Sequence, residues 1–303
     1  MAGLNKRGLM LGILRFLEED AAIIDLEQAT LTGAWLQHQA VKERLAERQL
    51  AVTPLMLVQV EDQIKGGDDP VARVREKLEQ AGVPADKIKS HTSGEPDPEF
   101  HTLAYDPLVE VLIFKVAVAT GFDAPRAWTL VSVRPNRGKE FGLQIVGRIM
   151  RVHPLVRPFH GQDPLLDRGY VFLTDADLQA GLNAAVEEIK AVRHGMELIT
   201  DQLDIVQFGN TQSPLGDVSI SGITLSERPK TSAERQERLA LLIDAGLVEP
   251  ELRNKPDEEQ DRAILTFEMI QKMGDTPLFG DLPLQSAPDS TGFTNTKQDI
   301  HVG

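Results

Sequence analysis

Glu110-Val-Leu-Ile-Phe-Lys-Val-Ala-Val-Ala-Thr-Gly-Phe-Asp-Ala-Pro-Arg-Ala-Trp-Thr-Leu-Val-Ser-Val133 holds two short apolar runs joined by a turn-rich link. Glu110–Lys115 and Trp128–Val133 are too short for ordinary helices and rich in β-branched residues, so each reads as a buried strand. Upstream, Pro54-Leu-Met-Leu-Val-Gln-Val60 is another compact apolar run, bounded by a proline and by Glu61-Asp62, and reads the same way. Asp68-Asp69-Pro70 opens a helix through Val71–Gln80 that Gly82 closes. A short strand follows near Ile88–Thr92. Strands alternating with helices predict an α/β domain with a mostly parallel sheet over 50–158. In such sheets ligands sit outside the carboxyl ends of the strands. Ala119–Pro125 and Arg134–Lys139 are expected there.

Working outward, residues 1–49 read as a helical lead-in. Gly33–Leu50 has apolar residues at three-to-four spacing, and the run Met1–Leu14 superficially imitates a signal peptide. Arg15, Glu18, Glu19 and Asp20 follow at once, so that run reads as part of a helix. Beyond Pro158 the expectation is a mainly helical extension over 159–276, with a last strand at Tyr170–Thr174. Helices are expected from Asp175 to about Arg193 and over Met196–Phe208, Thr231–Ala245 and Glu258–Met273, with loop or short β structure over Asn210–Ile223. Residues 277–303 are rich in Pro, Gly, Ser, Thr and Asp and are expected to form a flexible tail.

In 303 residues, 41% of them hydrophobic, no run approaches the ~18–20 apolar residues of a membrane span. With no cysteine, disulfides, thiol catalysis and Cys-based zinc sites are excluded, which suits a cytoplasmic protein. A net charge of −14 by itself argues against nucleic-acid binding. Its distribution says more. Arg134, Arg137, Lys139, Arg148, Arg151 and Arg157 face a single acid, Glu140, within their span. A basic strip on an acidic chain suits a phosphate-bearing ligand.

Gln144-Ile-Val-Gly147-Arg148-Ile-Met-Arg151 lies inside that strip. Read as a helix, it puts Gln144, Arg148 and Arg151 at i, i+4 and i+7, all pointing one way. Leu143, Ile145, Val146, Ile149, Met150 and Val152 cover most of the remaining circumference. A thin arginine stripe on an otherwise buried element needs an anionic partner. Simpler readings stay open: an arginine pair bridged to a local carboxylate such as Glu140, Asp123 as a turn residue before Pro125, and Arg134, Arg137 and Lys139 as solvated loop charges. His153 and His160 read as structural, and no metal site is expected.

Taken together, the strand Pro54–Val60, Thr120-Gly121-Phe122-Asp123 and Gln144-x-x-Gly147-Arg148-x-x-Arg151 resemble motifs IV, V and VI of superfamily 2 helicases, over roughly residues 50–155. The wording around Leu112–Ala127 looks closest to the helicase subunit of type III restriction enzymes. The resemblance implies a RecA-like C-terminal domain. It implies that Arg151 is an arginine finger, that Arg148 partners it on the γ-phosphate of ATP, and that Gln144 holds the hydrogen-bond network. Gly147 would let the helix approach a neighbouring backbone, and Asp123 would accept from the ribose or couple to the finger. Thr120 and the Gly121 amide would contact a nucleic-acid phosphate, joined by Arg134 and Arg137.

The first half of such a motor is missing from the pattern. A phosphate loop needs Gly-x-x-x-x-Gly-Lys-Ser/Thr, but Gly138-Lys139 has Val133 where the first Gly belongs and Glu140 after it. Asp257-Glu-Glu-Gln260 resembles a magnesium-binding acidic box in letters only, since Pro256 and no apolar strand precedes it. ATP and magnesium are therefore expected only with an N-terminal RecA-like domain or subunit, which is expected upstream. DNA and a modification subunit are the other partners implied. Two further readings compete: a non-catalytic RecA-like module that binds nucleic acid or protein, and a small-molecule α/β enzyme whose arginines hold a phosphorylated substrate.

Overall fold

A computed structural model describes residues 5–14, 24–61, 68–91, 100–115, 123–133, 146–173, 191, 193–197, 200, 202–208, 219–221 and 226–275. Eight strands form one sheet: β1 (Gly8–Leu14), β2 (Leu55–Gln59), β3 (Ile88–His91), β4 (Val111–Phe114), β5 (Ala127–Ser132), β6 (Arg168–Leu173), β7 (Gln202–Phe208) and β8 (Ser219–Ser221). Their order across the sheet is β3-β4-β2-β5-β6-β1-β7-β8, and every ladder is parallel. The fold is α/β, a parallel sheet with flanking helices and a helical extension at its carboxyl-terminal side.

Period-two patterning assigns the strands' side chains to two cores. Met10, Met56, Val58, Val111, Ile113, Tyr170 and Phe172 face one side, and there they meet α1 (Leu26–Glu47) and α2 (Pro70–Gln80). Leu9, Leu11, Leu57, Leu112, Phe114, Val171 and Leu173 face the other side and meet the short helical turn α4 (Gly147–Ile149) and the residues flanking it. Between α2 and α4 comes α3 (Phe100–Leu103). Asp69 caps α2 with Pro70 behind it, and Gly82 at φ 88° ends the turn that follows. Near the carboxyl terminus, α5 (Ser232–Asp244) packs on α6 (Asp257–Asp275) through Leu239, Leu242 and Ile264. In turn α6 lies in the α1 core through Leu265, Met269 and Met273, and the Asp25 amide donates to Thr266 Oγ1 at 3.0 Å.

Two stretches expected as helix are strands. Gly8-Leu-Met-Leu-Gly-Ile-Leu14 is β1, near the centre of the sheet, bonded to β6 on one side and β7 on the other. A strand covered on both faces is apolar throughout, so its sequence lacks the alternation that marks an ordinary strand. Over Met196–Phe208 only Met196 and Glu197 are described as helix, Thr200 is outside any helix, and Gln202–Phe208 is β7. The sheet therefore draws strands from 1–49 and 159–276 as well as from 50–158. Most of Asp175–Arg193 and all of 277–303 lie outside the described residues.

One ion cluster fastens α1 to the entry of β4. Lys42 Nζ bonds Glu110 Oε2 at 2.7 Å, while His38 Nε2, stacked on Trp35, sits 3.7 Å from the same oxygen. The 3.7 Å separation exceeds a hydrogen bond, so Lys42 is the firmer anchor. Burial pushes His38 down, which keeps it neutral near pH 7. His38 and Lys42 hold the Glu110 carboxyl at about 2. Because the folded value lies below the unfolded one, Glu110 stabilises the fold above about pH 4.5, and that contribution fades as pH falls towards 2. Glu110→Gln is expected to cost about 2 kcal/mol in urea melts at pH 7, less than the full shift implies because Lys42 is half exposed. The gap to the unmodified protein should close near pH 2; a gap independent of pH rules the linkage out.

Candidate functional site

The arginine segment begins on α4. Val146, Ile149 and Met150 are buried against the sheet, while Arg148 is half-buried on the open side. The helix does not run on to Arg151. Ile149 O accepts from Lys6 Nζ, Met150 O accepts from the Lys6 amide at 2.6 Å, and Arg151 forms an isolated antiparallel bridge with Asn5. An extended neighbour takes the carbonyls that a further helical turn would have used, and Pro154 follows soon after. Arg151 is thus an exposed residue on extended backbone, not the i+7 member of a helical stripe.

Close approach also falls on a different glycine. Among the described residues nothing lies within 4 Å of a Cβ placed on Gly147, so its expected backbone contact is not seen. A Cβ on Gly169 of β6 would stand 3.0 Å from Ile149 Cδ1 and 3.1 Å from Leu9 Cδ1. Gly169 is what lets α4 sit down on the sheet.

Asp123 precedes the turn that feeds β5, where the Ala127 amide donates to Ala124 O at 2.9 Å. Its Oδ2 lies 2.7 Å from Arg151 Nη1, with both side chains about half exposed. The structure therefore unites the acid and the distal arginine that the sequence placed in separate motifs, and Asp123 is the carboxylate Arg151 meets. The other oxygen, Oδ1, is shielded from water and has no hydrogen-bond partner among the described residues. Burial and the like charge of Arg151 push Arg148 below its ordinary value, against the pull of Asp123. Arg148 thus feels the charges of both Arg151 and Asp123, while the ion pair is the one between Arg151 and Asp123.

The location differs from expectation. Asp123 sits four residues before the start of β5, and Arg151 pairs with Asn5, just ahead of β1. Both are at the amino edge of the sheet, not outside the carboxyl ends. β4 and β5 run parallel, so the residues just before β5 lie at the edge opposite the one where β4 ends. Thr120, Gly121, Arg134, Arg137 and Gln144 lie outside the described residues, as does Glu140.

Two buried cations brace this edge, and neither was legible as more than a surface charge. Arg126 donates to the carbonyls of Ala104, Thr53, Val109, Leu103 and Asp106, and burial pushes it to about 10. Lys6 donates to Ala127 O at 2.8 Å and to Ile149 O, and its ammonium lies 4.5 Å from the centre of the Trp128 ring. Trp128 in turn donates to Leu166 O at 2.8 Å. His153 accepts from the Leu155 amide at 3.3 Å, and His160 Nδ1 lies 2.7 Å from buried Asp167. Among the described residues no group of three or more His, Asp or Glu could hold a metal ion, and no helix is long and apolar enough to cross a membrane.

Fold and site together define an α/β protein with a parallel sheet and an arginine–carboxylate cluster on the sheet's amino edge. No protein-family model and no curated protein matches this sequence. Among solved structures it is similar to the C-terminal domain of an S. cerevisiae Dbp5 variant bound to a Gle1 variant and IP6, at 13% identity and TM-score 0.37, covering 66% of this chain and 89% of that one. A longer form of that Dbp5 in the same kind of complex aligns at 12% identity and TM-score 0.35, over 78% of this chain and 46% of the other. The Mycobacterium smegmatis helicase Lhr bound to ssDNA and AMP-PNP aligns at 12% identity and TM-score 0.37, over 88% of this chain and 29% of that one.

Proposed function

We propose that the chain is the C-terminal motor half of an ATP-dependent DNA helicase or translocase of the restriction-system type. The observation that carries this reading is the 2.7 Å pair between Arg151 and Asp123, with half-buried Arg148 beside it. In this reading Arg151 is the arginine finger and Arg148 its partner on the γ-phosphate, where guanidiniums stabilise the charge of a transferring phosphoryl group. The part-exposed Asp123 carboxylate could take a ribose hydroxyl donor or couple to Arg151. ATP would supply the phosphoryl group that water attacks. The donors present fit its phosphates and sugar; magnesium comes with the phosphate-loop domain, RecA-like in kind, that docks on the amino edge. Gln144 and Gly147 complete the arginine motif, and Thr120, Gly121, Arg134 and Arg137 take the DNA strand. A modification subunit would join the complex through other surfaces.

Reconstitution tests it. Mixed with a phosphate-loop domain of this class and DNA, the chain should support magnesium-dependent ATP hydrolysis that neither half shows alone. No turnover with any such domain, together with salt-sensitive DNA binding indifferent to ATP, favours the second reading, a binding module without a motor. One observation points that way: Arg151 is already neutralised by Asp123 and needs no ligand to be satisfied.

A further inference from the structure

Lys6 is fully buried, yet it is a lysine, the side chain most costly to take from water without partners. Burial pushes the Lys6 amine well below its ordinary value, against the pull of Asp167, and its Nζ is met by the carbonyls of Ala127 and Ile149 and the face of Trp128. Its own backbone amide adds a bond to Met150 O. These contacts join three parts of the chain that are distant in sequence. Ala127 closes the turn that carries Asp123, Ile149 and Met150 end the helical turn that carries Arg148 and lead into Arg151, and Lys6 itself opens β1.

A fold that needed only to fill this space would do so better with an apolar side chain, since replacing a buried ion by hydrophobic packing is often neutral or stabilising. An ammonium with fixed donors adds direction. It adds a directional tie between the Asp123 turn and the arginine segment, beside the apolar packing of Ala124 and Ala127 against Val146, Ile149 and Met150 and the Asp123–Arg151 pair. We infer that Lys6 is a positioning residue, a strut that holds Arg148 and Arg151 in register with Asp123. The consequence for ATP turnover rests on the motor reading above; the consequence for the arginines does not.

The test keeps these apart. In the full chain with 15N-labelled arginine, the order parameter of the Arg151 Nε–Hε bond is measured for the unmodified protein, Lys6→Met and Val74→Ala. Val74 is a buried residue of α2 that makes none of the contacts described for Lys6, so its truncation destabilises the core without removing a Lys6 partner. In Lys6→Met the order parameter should fall below about 0.6 while Val74→Ala keeps the unmodified value. An unchanged Arg151 in folded Lys6→Met overturns the strut. Should Lys6→Met fail to fold, Lys6→Gln, which keeps one donor group, is read by the same criterion. In the reconstituted pair Lys6→Met should lower kcat about 10- to 100-fold with KM within about two-fold, the pattern of a displaced catalytic group. Undiminished kcat there also counts against the strut. An inert unmodified pair with a mobile Arg151 in Lys6→Met leaves Lys6 in its role and removes the motor reading.

Discussion

Arg151→Ala is expected to lower ATP turnover by the reconstituted motor about 10³-fold or more while leaving the fold in place. The size of the loss follows from where the charge is needed. The transferring phosphoryl group gains negative charge on oxygens that a guanidinium can contact with two parallel donors, in a cleft where water no longer screens. The intact fold follows from exposure. Arg151 and Asp123 are 54% and 40% exposed, and a pair of that kind contributes at most about 1 kcal/mol. Arg151→Lys should restore little, because a point ammonium cannot reproduce the fork. Steady-state kcat beside a thermal melt decides it. Unmutated turnover in Arg151→Ala removes the finger assignment, and a collapsed melt would show Arg151 to be structural.

The sheet was largely legible because four of its strands, β2, β4, β5 and β6, are short and mostly apolar runs. Pro54–Val60, Ile88–Thr92, Glu110–Lys115, Trp128–Val133 and Tyr170–Thr174 correspond to β2, β3, β4, β5 and β6. Caps and glycines fixed α2 and α5 in the same way, through Asp69, Gly82, Thr231 and Gly246. β1 was not legible: a short, glycine-broken apolar run such as Gly8–Leu14 is as good a buried helix as a buried strand, and only its neighbours β6 and β7 decide. The pairing of Asp123 with Arg151 could be anticipated from motif order, but its place on the amino edge could not, because that depends on which way the β4–β5 link travels. Lys6 and Arg126 were beyond reach for a further reason. Nothing in the letters distinguishes a cation that caps carbonyls from one in solvent, since its partners are backbone atoms contributed by remote segments.

Arg126→Leu is therefore the more informative stability test, and it is expected to cost about 3–5 kcal/mol. The side chain is 5% exposed, and its Nε, Nη1 and Nη2 hold Ala104 O at 2.8 Å, Thr53 O at 2.7 Å and Asp106 O at 2.7 Å, with Leu103 O and Val109 O at longer range. Leucine fills part of the volume but withdraws the guanidinium from those carbonyls, of which Asp106 O keeps the Val109 amide as a donor. At roughly 2–4 °C per kcal/mol for a chain of this size, the melting temperature should fall by about 10 °C. Arg126→Lys should recover only a fraction, because one ammonium cannot span carbonyls on both sides of the β2–β4–β5 edge. Amide exchange should accelerate first at Tyr105, Asp106 and Val109, whose N–H groups are bonded within that loop. A melt within about 2 °C of the unmodified protein would mean water replaces the guanidinium freely and that the loop is not held by it. Because Arg126 lies three residues past Asp123, the same substitution should loosen the Asp123–Arg151 pair while leaving the α5–α6 hairpin untouched. The stability of the amino edge and the geometry of the candidate site therefore share one buried cation.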